Sequence, residues 1–180
     1  MARTIPTINT ARMTLRAMRP QDFEDYAALW QEPTVVRHMG DAPRTRTHSW
    51  RQFLLLAGHW QMAGFGVWGV EPRGTRRIMG QAGFWFAGRE LGEDFDAYPE
   101  ATCVLHPDLH GTGLGREAAQ AAHDWFDRVI TGPLVCEIGS GNTTALRIGD
   151  ELGYRPLREH ETGAGPQQLM LRKSPPGGRG

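Results

Sequence analysis

The stretch Ala101-Thr-Cys-Val-Leu-His-Pro-Asp-Leu-His-Gly-Thr-Gly-Leu-Gly-Arg116, continued by Glu-Ala-Ala-Gln-Ala-Ala-His-Asp-Trp-Phe126, decides how this chain is read. It opens as a strand over residues 101–105 and closes as a long helix over 114–128, with Gly111, Gly113 and Gly115 between them. Glycine takes a positive φ easily and lets a ligand approach the backbone closely. The first turn of a helix adds unpaired N–H groups and a partial positive charge. A turn of this kind suits a phosphate or pyrophosphate. Two nucleotide patterns fit it poorly. A dinucleotide fingerprint needs G-x-G-x-x-G in an early βαβ unit, whereas the spacing here is G-x-G-x-G and lies past mid-chain. A loop ending in G-K-[ST] is absent, since the only lysine is Lys173. Taken alone, the glycines also fit a plain tight turn kept small for helix–strand packing.

Working outward, residues 134–138 read as a strand, 143–152 as a helix, and 154–157 and 168–171 as closing strands. Upstream, residues 65–70 and 77–86 read as two strands of a hairpin that turns at Pro72-Arg73-Gly74-Thr75. A helix over 47–61 is expected to bury Trp50, Phe53, Leu54 and Ala57 on one face. Another opens at Pro20 and carries Phe23, Tyr26, Ala27 and Trp30 at helical spacing. A strand over 13–18 precedes it. Strands dominate early and alternate with helices later, which predicts one α/β domain, a mixed sheet covered by helices, over residues 1–173. Residues 174–180, Ser-Pro-Pro-Gly-Gly-Arg-Gly, read as a flexible tail.

Composition narrows the function. The 180 residues are 39% hydrophobic and 22% charged, which is globular composition. The 20 basic and 20 acidic residues cancel, so nothing draws the whole chain to nucleic acid or an acidic membrane. The longest apolar run, residues 53–57, falls far short of the roughly 18 residues a membrane span needs. Two cysteines, Cys103 and Cys136, build no disulfide framework. A cytoplasmic protein with neither nucleic acid nor membrane as partner is expected. His106 and His110 stand four apart, but Pro107 and Gly111 exclude the helix that would align them, so no metal is expected. Cys103 lacks the His–Asn partners of a nucleophile.

His110-Gly111-Thr112-Gly113-Leu114-Gly115 resembles the Q/R-x-x-G-x-G/A signature of GNAT-superfamily N-acetyltransferases, matching at both glycines. Asn142-Thr-Thr-Ala145 followed by Gly153-Tyr154 is similar to that family's N-x-x-S/A … G-F/Y element. Met13-Thr-Leu-Arg-Ala-Met-Arg-Pro-Gln-Asp22, with His59-Trp60 and Gly64-Phe-Gly-Val-Trp68, resembles the branch that includes the ribosomal-protein N-terminal acetyltransferases of bacteria. The four pieces occur in the right order and cover roughly residues 13–172.

The resemblance implies a GNAT-like acyl-CoA N-acyltransferase fold that uses acetyl-CoA and a primary amine acceptor, either a protein N-terminus or a small amine. It implies that Cys103, Val104 and Leu105 pair with the pantetheine amides. It places the pyrophosphate on the N–H groups of His110, Gly111, Thr112, Gly113, Leu114, Gly115 and Arg116, with Arg116 as an added cation, and it gives Asn142 a cofactor hydrogen bond. Many relatives are dimers, so a homodimer is expected. Transfer is by direct attack of the amine in a ternary complex. An alkyl amine with a pKa near 10 must shed a proton first, so Glu100, where this branch commonly has Glu, is the candidate base. A main-chain N–H around Val104 would hold the oxyanion.

Two departures are visible. His110 replaces the usual Gln or Arg, and Gly149 stands where many members carry a Tyr acid. That leaves Tyr154 or Tyr98 to protonate the thiolate, and leaves a CoA-binding module with impaired catalysis as the alternative. Taken alone, Glu100 also fits a solvated loop-end acid, and the acidic loop 87–100 a solvated face.

Overall fold

Near-continuous burial along Val67–Pro72 and Gly80–Trp85 marks strands covered on both faces of a sheet. The computed structural model describes residues 3–37, 39, 42–163 and 165–177. Among them, eight strands form a single sheet: β1 (Ile8–Asn9), β2 (Met13–Arg16), β3 (Val67–Pro72), β4 (Gly80–Trp85), β5 (Glu100–Leu105), β6 (Leu134–Gly139), β7 (Arg155–Thr162) and β8 (Gly165–Arg172). Their order is β1-β2-β3-β4-β5-β6-β8-β7. Every neighbouring pair is antiparallel except β5 and β6, which run parallel.

The two faces carry separate cores. α1 (Phe23–Leu29), α2 (Pro33–Val36) and much of α3 (Arg46–Ala63) bury Phe23, Tyr26, Trp30, Val36, Phe53 and Leu56 against Val67, Ile78 and Val104. α4 (Glu93–Asp96) is one turn inside the acidic loop, anchored by buried Phe95. On the opposite face α5 (Leu114–Val129) packs Leu114, Ala118, Ala122 and Phe126 on Leu15, Trp68, Phe84 and Leu105. α6 (Thr143–Glu151) follows β6. Val104 and Leu105 enter different cores because successive strand residues point to opposite faces.

Several details differ from expectation. α3 buries Ser49, Phe53, Leu56 and Trp60, while Trp50, Leu54 and Ala57 are exposed. The buried stripe therefore lies one position round from the expected face. β2 stops at Arg16, whose guanidinium turns inward to clamp Asp22 at 2.8 and 2.9 Å. β4 begins at Gly80, not at residue 77, although the Met79 N–H still donates to the Val70 carbonyl at 2.8 Å. Ser174 and Pro176 lie over Gly153, within 3.4 Å of where its Cβ would stand, while residues 174–177 are exposed. The last three residues of the expected tail, 178–180, lie outside those described.

Candidate cofactor cleft and acid–base site

β5 and β6 touch through one bridge, Glu100 opposite Val135, and then part. Two bonds fix how the β5 backbone faces. The His106 N–H donates to the Met79 carbonyl at 2.7 Å on the β4 side, and the Val135 N–H donates to the Pro99 carbonyl at 3.0 Å on the β6 side. Peptide groups alternate along a strand. Glu100, Thr102 and Val104 therefore turn their amides to β4, while Ala101, Cys103 and Leu105 turn theirs to β6. On β6 the Ser140 N–H donates to the Pro166 carbonyl at 3.0 Å, which fixes Cys136 and Ile138 toward β8 and leaves Glu137 and Gly139 facing β5. Past the bridge, main-chain groups of Cys103 and Leu105 thus line an opening between two strands. This corrects one expectation: the Val104 amide belongs to the β4 ladder, so Cys103 and Leu105 are the residues whose N–H groups face the opening.

The end of β5 leads into the glycine turn. One 3₁₀ turn, Pro107–Leu109, brings His110 back so that its Nε2–H donates to the Leu105 carbonyl at 2.9 Å. A side chain thereby ties the turn to the strand. Gly111 and Gly113 have φ of +74° and +81°, and Gly113 caps α5. Nothing lies within 4 Å of where a Gly111 Cβ would stand, so space is left beside the turn. The first N–H groups of α5 begin there, which makes the turn a cradle for an anion.

Arg12 braces this cradle from the start of β2: its Nη1 donates to the Thr112 carbonyl at 2.9 Å and its Nε to Glu117 at 2.7 Å. Sequence reasoning missed it, because Arg12 and Glu117 lie 105 positions apart and no motif joins them. Arg116 pairs with Glu151 of α6, a tie between the two helices. Asn142 caps α6, its Oδ1 accepting the Ala145 N–H at 3.1 Å, which leaves its NH₂ for other contacts.

Glu100 is 4% exposed, far from the solvated loop-end acid its position suggested. Its Oε1 accepts from Arg89 Nη2 at 2.6 Å, and its Oε2 is buried without a hydrogen-bond partner among the described residues. Burial pushes its carboxyl up to about 7; the Arg89 guanidinium opposes that rise, and the Glu137 charge adds to it. A carboxyl half-ionised near neutrality, with one free oxygen, is suited to taking a proton.

Tyr154 is a different matter. It is 1% exposed, and its hydroxyl donates at 2.8 Å to His123 Nε2, whose Nδ1–H donates in turn to the Ala119 carbonyl at 2.7 Å. Burial holds the His123 imidazole down to about 4 and the Tyr154 phenol well above its usual value. Tyr154 is thus a core hydrogen bond, not a free acid as expected. Gly149 offers no substitute, having no side chain, and a Cβ there would lie 3.3 Å from Ile138 Cδ1, a tight contact between α6 and β6. The acidic loop is a solvated face only in part: Glu90, Glu93 and Asp94 are exposed, while Asp96 and Glu100 turn inward. Asp94 pairs with Arg158, and Asp96 accepts the N–H groups of Arg89 and Gly92.

Residues 12–155 match the family model described as the acetyltransferase (GNAT) domain. The chain belongs to the GNAT acetyltransferases. Similar proteins agree with that assignment. The uncharacterized N-acetyltransferase p20 of Bacillus licheniformis is 23% identical over 164 residues, spanning 88% of this chain and 89% of its own. A protein from Bordetella pertussis assigned to the GnaT family of acetyltransferases shares the fold at a TM-score of 0.83 and 24% identity, covering 93% of this chain and 99% of its own. So does yncA from Salmonella typhimurium, solved with its cofactor acetyl-CoA, at a TM-score of 0.69 and 20% identity over 93% and 96% of the two chains. The GNAT domain makes this protein an acetyltransferase with acetyl-CoA as the expected co-substrate. No described helix is long and apolar enough to cross a membrane. No group of three or more His, Cys, Asp or Glu among the described residues gathers as a metal site.

Proposed function

We propose that the protein transfers the acetyl group of acetyl-CoA to a primary amine, a protein N-terminus or a small amine, with Glu100 as general base. The buried Glu100 Oε2 beside the parting of β5 and β6 carries this reading. The main-chain groups of Cys103 and Leu105 would pair with the pantetheine amides, and Val104 would hold the strand in place through the β4 ladder. Residues 111–116 would hold the pyrophosphate on the N–H groups at the start of α5, the His110 N–H being taken by the Pro107 carbonyl at 2.9 Å, with Arg12 bracing the turn and the Asn142 NH₂ available from the neighbouring helix.

Bound acetyl-CoA supplies the acetyl group as a thioester open to amine attack. Glu100 Oε2 takes a proton from the ammonium, and the freed nitrogen lone pair is the nucleophile. An N–H of Cys103 or Leu105 faces the charge that develops on the carbonyl oxygen. A thiol pKa near 8.5 lets the thiolate leave without a dedicated acid, consistent with Tyr154 being engaged by His123.

Glu100→Gln is expected to lower kcat by about 10²–10⁴-fold, the usual worth of a general base, with acetyl-CoA affinity unchanged. Thiol release at the parent rate would remove Glu100 from the mechanism. The absence of a side chain at Gly149 and the engaged Tyr154 favour a second reading, a CoA-binding module without turnover. That reading predicts acetyl-CoA binding with no release of CoA thiol in the presence of any primary amine.

A further inference from the structure

One guanidinium stands between two carboxylates on the adjacent parallel strands. Arg89 reaches Glu100 of β5 with Nη2 at 2.6 Å and Glu137 of β6 with Nη1. Both carboxylates are largely enclosed, their side chains 6% and 9% exposed. They sit on the same face of the sheet beside the one bridge that joins the strands, because Glu100 pairs with Val135 and Glu137 follows two residues later. Arg89 itself is set on a firm platform. Its own N–H donates to Asp96 Oδ1 at 3.1 Å, and Phe95 of the same loop is buried with Val135 and Leu169. Arg158 of β7 ties Asp94 at 3.0 Å. The loop 87–99 therefore delivers one fixed positive charge to the place where the sheet divides.

We propose that Arg89 is a positioning residue of the acetyl transfer, gripping Glu100 by Oε1 and leaving the buried, unpartnered Oε2 as the oxygen that takes the acceptor's proton, while Glu137 counterbalances its charge. This rests on Glu100 acting as the base. In the proton step an ammonium N–H bond breaks, an O–H bond forms at Oε2, and the electron pair stays on nitrogen. With Glu100 ionised, two carboxylates around one guanidinium leave the cluster one negative charge in excess, which matches a cationic amine.

The groups facing Glu100 are Arg89 and Asp96 from the loop and α4 and Glu137 from β6; Cys136 of β6 and Tyr154 after α6 lie on the other face of the sheet, within electrostatic reach. Burial keeps Cys136 and Tyr154 neutral across the working range, so the ionic neighbours are Arg89, Asp96 and Glu137. Arg89 draws the Glu100 proton affinity down, and Glu137 and Asp96 raise it.

The test follows the Glu100 carboxyl carbon by NMR in ¹³C-glutamate-labelled protein, with the resonance assigned by its loss in Glu100→Gln. Alongside it, thiol release from acetyl-CoA with n-butylamine is measured from pH 5 to 9. Arg89→Gln is expected to move the titration midpoint, and the acid limb of kcat/KM with it, up by about one pH unit or more, the usual effect of losing an adjacent guanidinium. Arg89→Lys should return most of that shift, and Glu137→Gln should move both readouts down. A role for Arg89 confined to holding the loop would lower stability and leave the midpoints alone. Coincident midpoints in folded Arg89→Gln and Glu137→Gln overturn the proposal even if Glu100→Gln is inactive. Parent-rate thiol release by Glu100→Gln overturns the base itself, and the proposal falls with it.

Discussion

Glu100 shows how a single side chain acquires a function from its surroundings. In the unfolded chain its carboxyl titrates near 4.5, and in the fold at about 7, chiefly through burial. Between those pH values the unfolded chain releases a proton that the folded protein keeps. Stability therefore falls as pH rises through this window, the reverse of a salt-bridged carboxylate. Glu100→Gln removes the titration. Its stability relative to the parent should rise by on the order of 2–3 kcal/mol between pH 5 and pH 8, measured by urea unfolding. A constant difference across that range would mean that Glu100 ionises in the fold as it does in water. The type and position of this residue were legible from its place at the head of the cofactor strand. Its burial, and the shared guanidinium of Arg89, were not, because both depend on a loop that folds back over the strand ends.

At the scale of elements, the strand–glycine turn–helix was readable because its chemistry is local: residues 101–128 carry the strand, the positive-φ glycines and the helix start in one run. Gly113 at φ +81° is the hinge of that unit, and a Cβ there would come within 3.4 Å of Arg12 Nη2. Gly113→Val is expected to weaken acetyl-CoA binding more than tenfold, through the strained left-handed backbone and a side chain set where the diphosphate approaches. Gly74→Ala, at φ +85° in the β3–β4 turn with open space around it, shares the backbone strain and should leave the affinity unchanged. Equal affinities for the parent and a folded Gly113→Val would reduce the turn to a connection. What lay beyond local pattern was the partner of each cation. Arg116, next to the turn in sequence, is held by Glu151, and Arg12, far from it in sequence, braces the turn. Only the packing of α5 across the sheet decides between them.

At the scale of the whole molecule, the parting of β5 from β6 turns a continuous sheet into a binding site. The element order predicted a mixed sheet, but strand order and register were not written in the periodicity. Which β5 amides face the opening depends on one-residue parity, and that is why Val104 was expected where Cys103 and Leu105 stand. Every part of the account, from the cradle at residues 111–116 to the base at Glu100, presumes that acetyl-CoA occupies this opening. Calorimetric titration of the protein with acetyl-CoA, with ATP–Mg²⁺ as the control, tests that most directly. The account predicts saturable binding of acetyl-CoA in the micromolar range and none of ATP–Mg²⁺. No heat with acetyl-CoA from the folded protein would contradict it.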